Sequence, residues 1–215
     1  MTIRVVTDST SDLPPQLVKD LSITVVPLYV RFGNKTYRDR IDINEDEFYK
    51  RLQNDSVHPT TSQPTPQDFA SVYRNLSGQA DGILSIHISS KMSGTYNSAL
   101  QAKHMLPVDF PLEVLNSETV SMGLGLLAIE AATIAKSGKD LRQIKEYITT
   151  LISGTHVWAL FDTLKYLSLG GRIGKVKGLV GTILNIKPLL LVKDGDMAPV
   201  SQPRTRERGM DLMYD

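Results

Sequence analysis

Near its amino terminus the chain reads Ile3-Arg4-Val5-Val6-Thr7, followed at once by Asp8-Ser9-Thr10-Ser11-Asp12. The first segment is mostly apolar and β-branched, which predicts a short buried strand. The second is rich in hydroxyl groups and begins where that strand is expected to end. Ligands of open α/β sheets bind outside the carboxyl ends of the strands. This stretch therefore predicts a buried strand and, directly after it, one wall of a binding site.

Strands and helices are predicted to alternate from this point onward. The predicted strands cover 23–32, with a hairpin turn at Gly33-Asn34, then 82–89 and 112–115. A first helix is predicted to begin near Asp12, which is a candidate for its cap. Further helices are predicted over 44–53, 67–76, 94–106, 121–136 and 140–153. Such alternation is typical of an α/β fold with a doubly wound, mostly parallel, Rossmann-like sheet.

The pattern changes near Gly154. A strand over 155–161, a short helix over 162–169, a hairpin over 189–200 that turns at Gly195 and a helix from about Arg204 are predicted. One hairpin and two helices are too few for an independent fold. We therefore expect residues 1–153 to form one α/β domain and residues 154–215 to form the start of a second, truncated α/β domain.

The composition is that of an ordinary globular protein and excludes several functional classes. The 215 residues are 41% hydrophobic and 22% charged with a net charge of +1, so no strong attraction to nucleic acid is expected. The chain has no cysteine, which excludes disulfides and thiolate chemistry. Its apolar runs are shorter than the roughly 18–20 residues of a transmembrane helix. A cytoplasmic protein is expected, with transient membrane contact left open.

Two further loops share the hydroxyl-rich character of residues 7–12. They are Thr60-Thr61-Ser62-Gln63-Pro64-Thr65-Pro66 and Ser89-Ser90-Lys91-Met92-Ser93-Gly94-Thr95. Each is placed where an apolar strand is expected to end, so the three loops are predicted to converge. Their neutral donors would then bind one carboxylate or phosphate. Two arginines have two equally acceptable interpretations. Arg172, in a glycine-rich segment, and Arg204, at the last predicted helix, could bind an anion or could belong to a solvated charged face.

Asp8 allows an enzymatic interpretation. In aspartyl phosphotransferases an Asp at the end of the first strand is phosphorylated, and a second Asp two residues later acts as acid and base. Here Thr10 occupies that second position. Alternatively, Asp8 and Ser9 bind local backbone N–H groups. His87 is expected to be a satisfied core histidine, and the four histidines show no metal-ligand spacing.

Taken together, six motifs resemble the DegV family across the whole chain. They are Thr7-Asp8-Ser9-Thr10-Ser11-Asp12-Leu13, Thr60-Thr61-Ser62-Gln63-Pro64, Ser93-Gly94-Thr95-Tyr96-Asn97-Ser98-Ala99, Gly171-Arg172-Ile173, Lys187-Pro188-Leu189 and Arg204-Thr205-Arg206. The resemblance implies a bacterial two-domain α/β protein that buries a long-chain fatty acid between its domains. It also implies that the chain is not itself an enzyme. A partner kinase subunit would bind ATP and convert the presented carboxylate to an acyl-phosphate.

The resemblance also assigns residues. Those it places at the fatty acid carboxylate are Thr61, Ser62, Ser93 and Gly94. Arg172 and Arg204 match arginines near the head group and in productive docking with the kinase. No metal and no cofactor other than the bound fatty acid are implied. Family members run further at the carboxyl end, so the chain is expected to be truncated there and to lack a histidine near the carboxylate.

Two other functions remain open at this point. The first is an Asp8-dependent phosphotransferase, which would make the chain an enzyme. The second is a regulatory binding module for some other amphipathic anion. A fatty acid that co-purifies from a bacterial host would favour the lipid-binding subunit over both.

Overall fold

A computed structural model of the chain describes residues 1–107, 109–179 and 186–214. Its strands are β1 (Ile3–Asp8), β2 (Thr24–Val26), β3 (Tyr29–Phe32), β4 (Lys35–Arg38), β5 (Thr60–Ser62), β6 (Gly82–His87), β7 (Leu112–Asn116), β8 (Val157–Leu160), β9 (Leu189–Lys193) and β10 (Asp196–Ser201). Its α-helices are α1 (Pro15–Asp20), α2 (Glu45–Asn54), α3 (Pro66–Ser77), α4 (Thr95–Lys103), α5 (Met122–Lys136), α6 (Leu141–Ile152), α7 (Lys165–Leu169) and α8 (Arg206–Tyr214). Short 3-10 turns cover Ser9–Ser11 and Gly174–Leu179. Within these described ranges no helix has the length and apolar character needed to cross a membrane.

The centre of the molecule is a four-stranded parallel sheet in the order β2-β1-β6-β7. In the register of β1 with β6, Val6 lies opposite Ser85. One face of the sheet packs on α5 and α6 through side chains such as Leu124 and Ile144, and the other packs on α3 and α4 through Phe69. Helices on both faces of a parallel sheet confirm the prediction of a doubly wound α/β fold.

Helix α5 brings the hydroxyl-rich turn close to the sheet. The amino-terminal part of α5 carries Gly125, where an added Cβ would lie 2.5 Å from the carbonyl oxygen of Ser11. Only a residue without a side chain allows this approach. The Ser9–Ser11 turn is therefore held between the end of β1 and the start of α5.

The ends of two predicted helices have different outcomes. The helix predicted over 140–153 begins where expected, because Asp140 forms a capping box with Gln143 at the start of α6, and its Oδ1 accepts the backbone N–H of Gln143 at 2.8 Å. The prediction that Asp12 caps α1 is wrong. Asp12 has φ +53° and α1 begins only at Pro15, so the Asp12 carboxylate binds other groups instead: Arg40 at 2.8 Å and the hydroxyl of Ser121 at 2.7 Å.

A second sheet is antiparallel, has the order β4-β3-β5 and carries α2. The predicted hairpin at Gly33-Asn34 joins β3 to β4, and Phe32 packs edge-on against Phe48 of α2 at 6.0 Å. The prediction that residues 60–66 form a loop at a strand end is wrong for the first three. Thr60–Ser62 pair with β3, because extended β-branched threonines complete the hydrogen bonding of that strand.

The third sheet, in the order β10-β9-β8, is antiparallel and follows α6 in the chain. The predicted hairpin between β9 and β10 is confirmed. Its two turn residues, Asp194 and Gly195, both have positive φ values (52° and 76°), as a two-residue hairpin turn of this type requires. Leu190 on β9 packs with Leu164 and Val176 in a small core of its own.

Candidate functional site

A cavity of about 730 Å³ lies beside the carboxyl ends of β1 and β6. Its walls come from the turn after β1, the segment after β6, the second sheet with α2, and α7 with the glycine-rich segment that follows it. The volume falls within the range of about 300–1,000 Å³ that is typical of small-molecule sites. The cavity is therefore large enough for an organic ligand of moderate size.

Hydroxyl groups form much of the polar wall. Ser9 and Thr10 come from the turn after β1, Ser93 from the segment after β6, and Thr60 and Thr61 from β5. Two of the three predicted loops thus meet at the edge of the parallel sheet, as expected from their positions after β1 and β6. The third set of hydroxyls, those of Thr60 and Thr61, lies on strand β5 of the neighbouring sheet.

The structure places three of the six predicted site residues at this cavity. Thr61, Ser93 and Arg172 line it, whereas Ser62, Gly94 and Arg204 are not among the described residues that do. Ser62 follows Thr61 on β5, and successive side chains of a strand point to opposite faces.

Gly94 contributes to the site without lining it. It directly precedes α4, and a Cβ there would lie 2.8 Å from Nε2 of Gln63. The absence of a side chain therefore leaves room for the Gln63 side chain beside the loop that holds Ser93. At the same loop, the Ser93 hydroxyl lies 2.8 Å from the hydroxyl of Thr95, the first residue of α4.

The two predicted arginines lie in different places. Nη1 of Arg172 donates to the carbonyl of Gly170 at 2.5 Å, and its Nε lies 3.5 Å from the carbonyl of Met92, next to Ser93. Its guanidinium therefore reaches the cavity beside the Ser93 loop. Arg204 is exposed and precedes α8, so a role inside the cavity is not supported by its position.

A charged group at the cavity was not anticipated from the sequence. Nη2 of Arg40 lies 2.8 Å from Asp12 and 2.9 Å from Glu45, and all three residues line the cavity. Beside them, burial raises the pKa of the Asp39 carboxyl, while a hydrogen bond with Ser9 and the charge of Arg40 oppose that rise. Only the fold brings Asp12 to this group, since it is 28 residues away from Arg40 in the chain.

The apolar wall was also missed. It includes Phe48 and Leu52 of α2, Met92, Leu169 and Met197. Leu169 is 55% exposed in the protein alone. The only signal in the sequence was the apolar face of the helix predicted over 44–53, which is equally typical of a helix that packs on a core.

An aromatic contact joins two sides of the cavity. The ring of His58, just before β5, stacks on the ring of Tyr166 of α7 with centroids 5.6 Å apart and an interplanar angle of 15°. Both residues line the cavity. The wall therefore combines a polar side made of hydroxyls with an apolar and aromatic side, which is the pattern expected for an amphipathic ligand.

A comparison with protein families identifies the chain. The model of the DegV family matches residues 2–215. The chain belongs to the DegV family. The family resemblance seen in the six sequence motifs is thereby confirmed across the chain.

Curated DegV relatives and solved DegV structures support this assignment. A DegV domain-containing protein from Clostridium acetobutylicum is 38% identical over 213 residues, which are 99% of this chain and 76% of the relative. A counterpart from Caldanaerobacter subterraneus subsp. tengcongensis is 36% identical over 213 residues, covering 99% and 75%.

Among solved structures, a fatty-acid-binding DegV family protein from Thermus thermophilus has a TM-score of 0.92 and 37% identity over 100% of this chain and 76% of its own. DegV, a fatty acid binding protein from Bacillus subtilis, has a TM-score of 0.90 and 31% identity, with the same coverage. A stearic-acid-binding protein from Eubacterium ventriosum gives 0.91 and 31%, over 97% and 73%.

In this DegV-family chain Asp8 is enclosed rather than presented to a substrate. The Asp8 side chain is fully buried, and its two oxygens accept hydrogen bonds from Thr10, His87 and Ile88. This arrangement matches the structural role that the sequence allowed for Asp8 and argues against a phosphorylated nucleophile.

Across the described parts of the chain, no group of three or more His, Asp or Glu residues is placed to hold a metal ion.

Proposed function

We propose that this chain binds a long-chain fatty acid in the 730 Å³ cavity and presents its carboxylate to an ATP-binding kinase subunit, without catalysing a reaction itself. The observation that carries the proposal is the amphipathic wall of that cavity. Three solved DegV proteins, each at least 31% identical to this chain, are described as binding fatty acids. Their similarity supports the same ligand class here.

The hydroxyl side of the wall suits the carboxylate. In the proposed complex the carboxylate accepts hydrogen bonds from Ser93 and Thr61, and Arg172 lies beside it at the Ser93 loop. Hydrogen bonds to a charged acceptor are roughly twice as strong as those between neutral groups. They hold the head group without a buried salt bridge, which favours its later release as a reacted product.

The apolar side of the wall suits the hydrocarbon tail. Each CH₂ group that leaves water contributes about 0.8 kcal/mol. A tail of a dozen or more such groups would supply most of the affinity. Leu169, half of whose surface is exposed in the protein alone, is a candidate contact for it.

The kinase partner and the cytoplasmic location belong to the same proposal. The proposal also divides the chain into two domains after residue 153 and places the fatty acid between them. Residues from both sides of that boundary line the cavity, which supports this placement. An acyl-phosphate would form when the partner transfers the terminal phosphoryl group of ATP to the carboxylate. The position of the cavity at the carboxyl ends of β1 and β6 supports a head group near the protein surface.

The ligand is tested on the purified chain in two steps. Mass spectrometry of denatured protein from a bacterial host should reveal bound fatty acid. Calorimetric titration of the delipidated protein should then give saturable binding of oleate, with oleyl alcohol as the matched ligand that lacks a carboxylate. Weaker binding of the alcohol is expected. Absence of saturable oleate binding would contradict the proposed function.

The kinase step is tested separately. The chain alone, with ATP, Mg²⁺ and oleate, should form no acyl-phosphate, and addition of an ATP-binding kinase subunit from a DegV-containing bacterium should start its formation. Turnover without a second protein would return Asp8 to consideration as a nucleophile.

A further inference from the structure

A chain of hydrogen bonds runs through the fully buried side chains of Tyr73, Ser85, His87 and Asp8. The Tyr73 hydroxyl lies 2.8 Å from Oγ of Ser85, which lies 2.7 Å from Nε2 of His87. Nδ1 of His87 lies 3.0 Å from Oδ2 of Asp8. The chain thus crosses from helix α3 through strand β6 to the end of strand β1.

Asp8 uses its two oxygens to join two segments of the cavity wall. Oδ1 accepts hydrogen bonds from the backbone N–H and the hydroxyl of Thr10, at 3.1 and 2.5 Å. Oδ2 accepts the backbone N–H of Ile88 at 3.1 Å in addition to Nδ1 of His87. Thr10 and Ile88 both line the cavity, and Ile88 begins the segment that ends at Ser93. One carboxylate therefore sets the spacing between the turn after β1 and the segment after β6.

The two ring nitrogens of His87 have different partners. A carboxylate oxygen accepts hydrogen bonds, so in its contact with Oδ2 of Asp8 the Nδ1–H group of His87 donates. Burial raises the pKa of Tyr73, which keeps its proton and, among the described residues, finds its acceptor in Ser85. The Ser85 hydroxyl also contacts Nε2 of His87, the other ring nitrogen. The Asp8 carboxylate therefore depends on Nδ1 of His87, and not on Nε2, for its hydrogen bond with the ring.

The order Ser85, His87 and Asp8 has the spacing of a serine hydrolase triad, but its surroundings do not. Ser85 is fully buried, is bonded to Tyr73 and is not among the described residues that line the cavity. A nucleophile must reach its substrate. The arrangement is thus suited to fix positions rather than to perform hydrolysis.

We propose that Asp8 and His87 are positioning residues of the ligand site, with Nδ1 of His87 holding the carboxylate that spaces the two hydroxyl-bearing wall segments. This inference rests on the proposed function, since it assigns the effect to fatty acid affinity. Asp8 and His87 should also hold the turn after β1 and the segment after β6 in place in the absence of ligand, and this can be tested on the free protein.

Two substitutions of His87 separate its two hydrogen bonds. In His87→Asn the side-chain amide can stand in for Nδ1–H and donate to Asp8, whereas in His87→Gln it reaches the position of Nε2 and leaves Asp8 without that donor. Tyr73→Phe is the matched control, because it removes a hydrogen bond at the far end of the same buried chain. Oleate affinity is measured by calorimetry, stability by urea unfolding, and local opening by hydrogen exchange at the Thr10 and Ile88 amides.

The expected result is a split between affinity and stability. His87→Gln should weaken oleate binding about tenfold and speed exchange at both amides. His87→Asn should stay within about threefold of the wild type, and Tyr73→Phe should lose stability with its affinity retained. Affinity that simply follows stability in all three variants, or an Asn variant no better than the Gln variant, would overturn the inference.

Failure of the proposed function gives a different pattern. If the wild-type chain binds no oleate, the ligand assignment fails, while the exchange measurement still decides whether Asp8 and His87 hold the wall. Unchanged exchange at Thr10 and Ile88 in His87→Gln would then reject the positioning role as well.

Discussion

The hydroxyl of Ser89 donates a hydrogen bond of 2.6 Å to the carbonyl oxygen of Gly195, and both residues are buried. This bond joins the segment after β6 to the turn between β9 and β10. A second contact lies beside it, since Nζ of Lys91 donates to the carbonyl of Asp194 at 2.6 Å. The segment after β6 lines one side of the cavity and the start of β10 lines another. The hairpin turn therefore fixes how far apart these two walls lie.

Gly195→Ala is expected to destabilise the protein by more than the strain of its backbone conformation alone. Gly195 has φ +76°, and a Cβ there would lie 2.6 Å from Oγ of Ser89. A left-handed conformation costs a non-glycine residue about 1–2 kcal/mol, and the clash adds to this by disturbing the hydrogen bond between the two walls. Urea unfolding measures the difference.

Gly138→Ala is the matched control for this variant. Gly138 has φ +84°, but a Cβ there would meet nothing within 4 Å. It should lose only the cost of the backbone conformation and leave oleate affinity unchanged. If the two alanine variants were equally stable, the contact between Ser89 and Gly195 would have no energetic significance.

Ser93→Ala is expected to weaken oleate binding by about 1–3 kcal/mol, since a buried carboxylate would lose one of its donors. The Ser93 hydroxyl also contacts Thr95 and accepts the Thr95 backbone N–H, so a small loss of stability should accompany the change. Calorimetry gives the affinity and urea unfolding the stability. Ser90→Ala is the control, because the Ser90 hydroxyl binds Asn116 and is not among the described cavity-lining residues. Equal affinities for both variants would remove Ser93 from the site.

The sequence predicted the centre of the fold because the signals there are local. β1 and β6 are apolar runs that end in hydroxyl groups, and such runs indicate buried parallel strands without reference to the rest of the chain. The position of Ser93 at the edge of the sheet follows from the same pattern. The cavity-lining position of Thr61 depends on pairing with β3, which no local signal specifies.

The charged part of the cavity could not be predicted for a related reason. Arg40 contacts Asp12 and Glu45, which lie on either side of it in the sequence, and Arg40 itself has φ +60°. Asp12 was expected to cap α1 because an acidic residue before prolines is a common helix start. The ion pair with Arg40 competes for the same carboxylate, and it forms only once the second sheet packs beside β1.

Asp39→Asn is expected to stabilise the protein at neutral pH. Burial raises the folded-state pKa of Asp39 above its ordinary value of 3.8, so the folded state favours the protonated form. The resulting stability is fully present below that ordinary value and is lost as the pH rises through the folded-state pKa. Asparagine keeps an acceptor for Ser9 and removes the buried charge. The gain measured by urea unfolding should therefore be present at pH 7 and shrink towards about pH 3.

Asp42→Asn provides the opposite sign from a neighbouring carboxylate. The hydrogen bonds from Arg38 lower the pKa of Asp42 from 3.8 to about 2. Its contribution to stability is present above the ordinary value and is lost as the pH falls towards about 2, so this variant should be less stable at pH 7. The effect should be small, because the pair is exposed. Changes of the same sign in both variants would contradict the assigned role of burial at Asp39.

Arg204→Ala is expected to reduce phosphoryl transfer by the proposed kinase partner far more than it reduces oleate affinity. Arg204 is exposed just before α8 and is not among the described residues that line the cavity, so its guanidinium is available to a docking surface. Arginine keeps its charge at any working pH and binds oxyanions through two parallel N–H donors. Arg208→Ala is the control on α8, the helix that follows Arg204, where Arg208 lies 3.8 Å from Asp211. Acyl-phosphate formation with the partner and oleate calorimetry are measured side by side. Equal losses in both assays would instead make Arg204 an ordinary contact of the ligand.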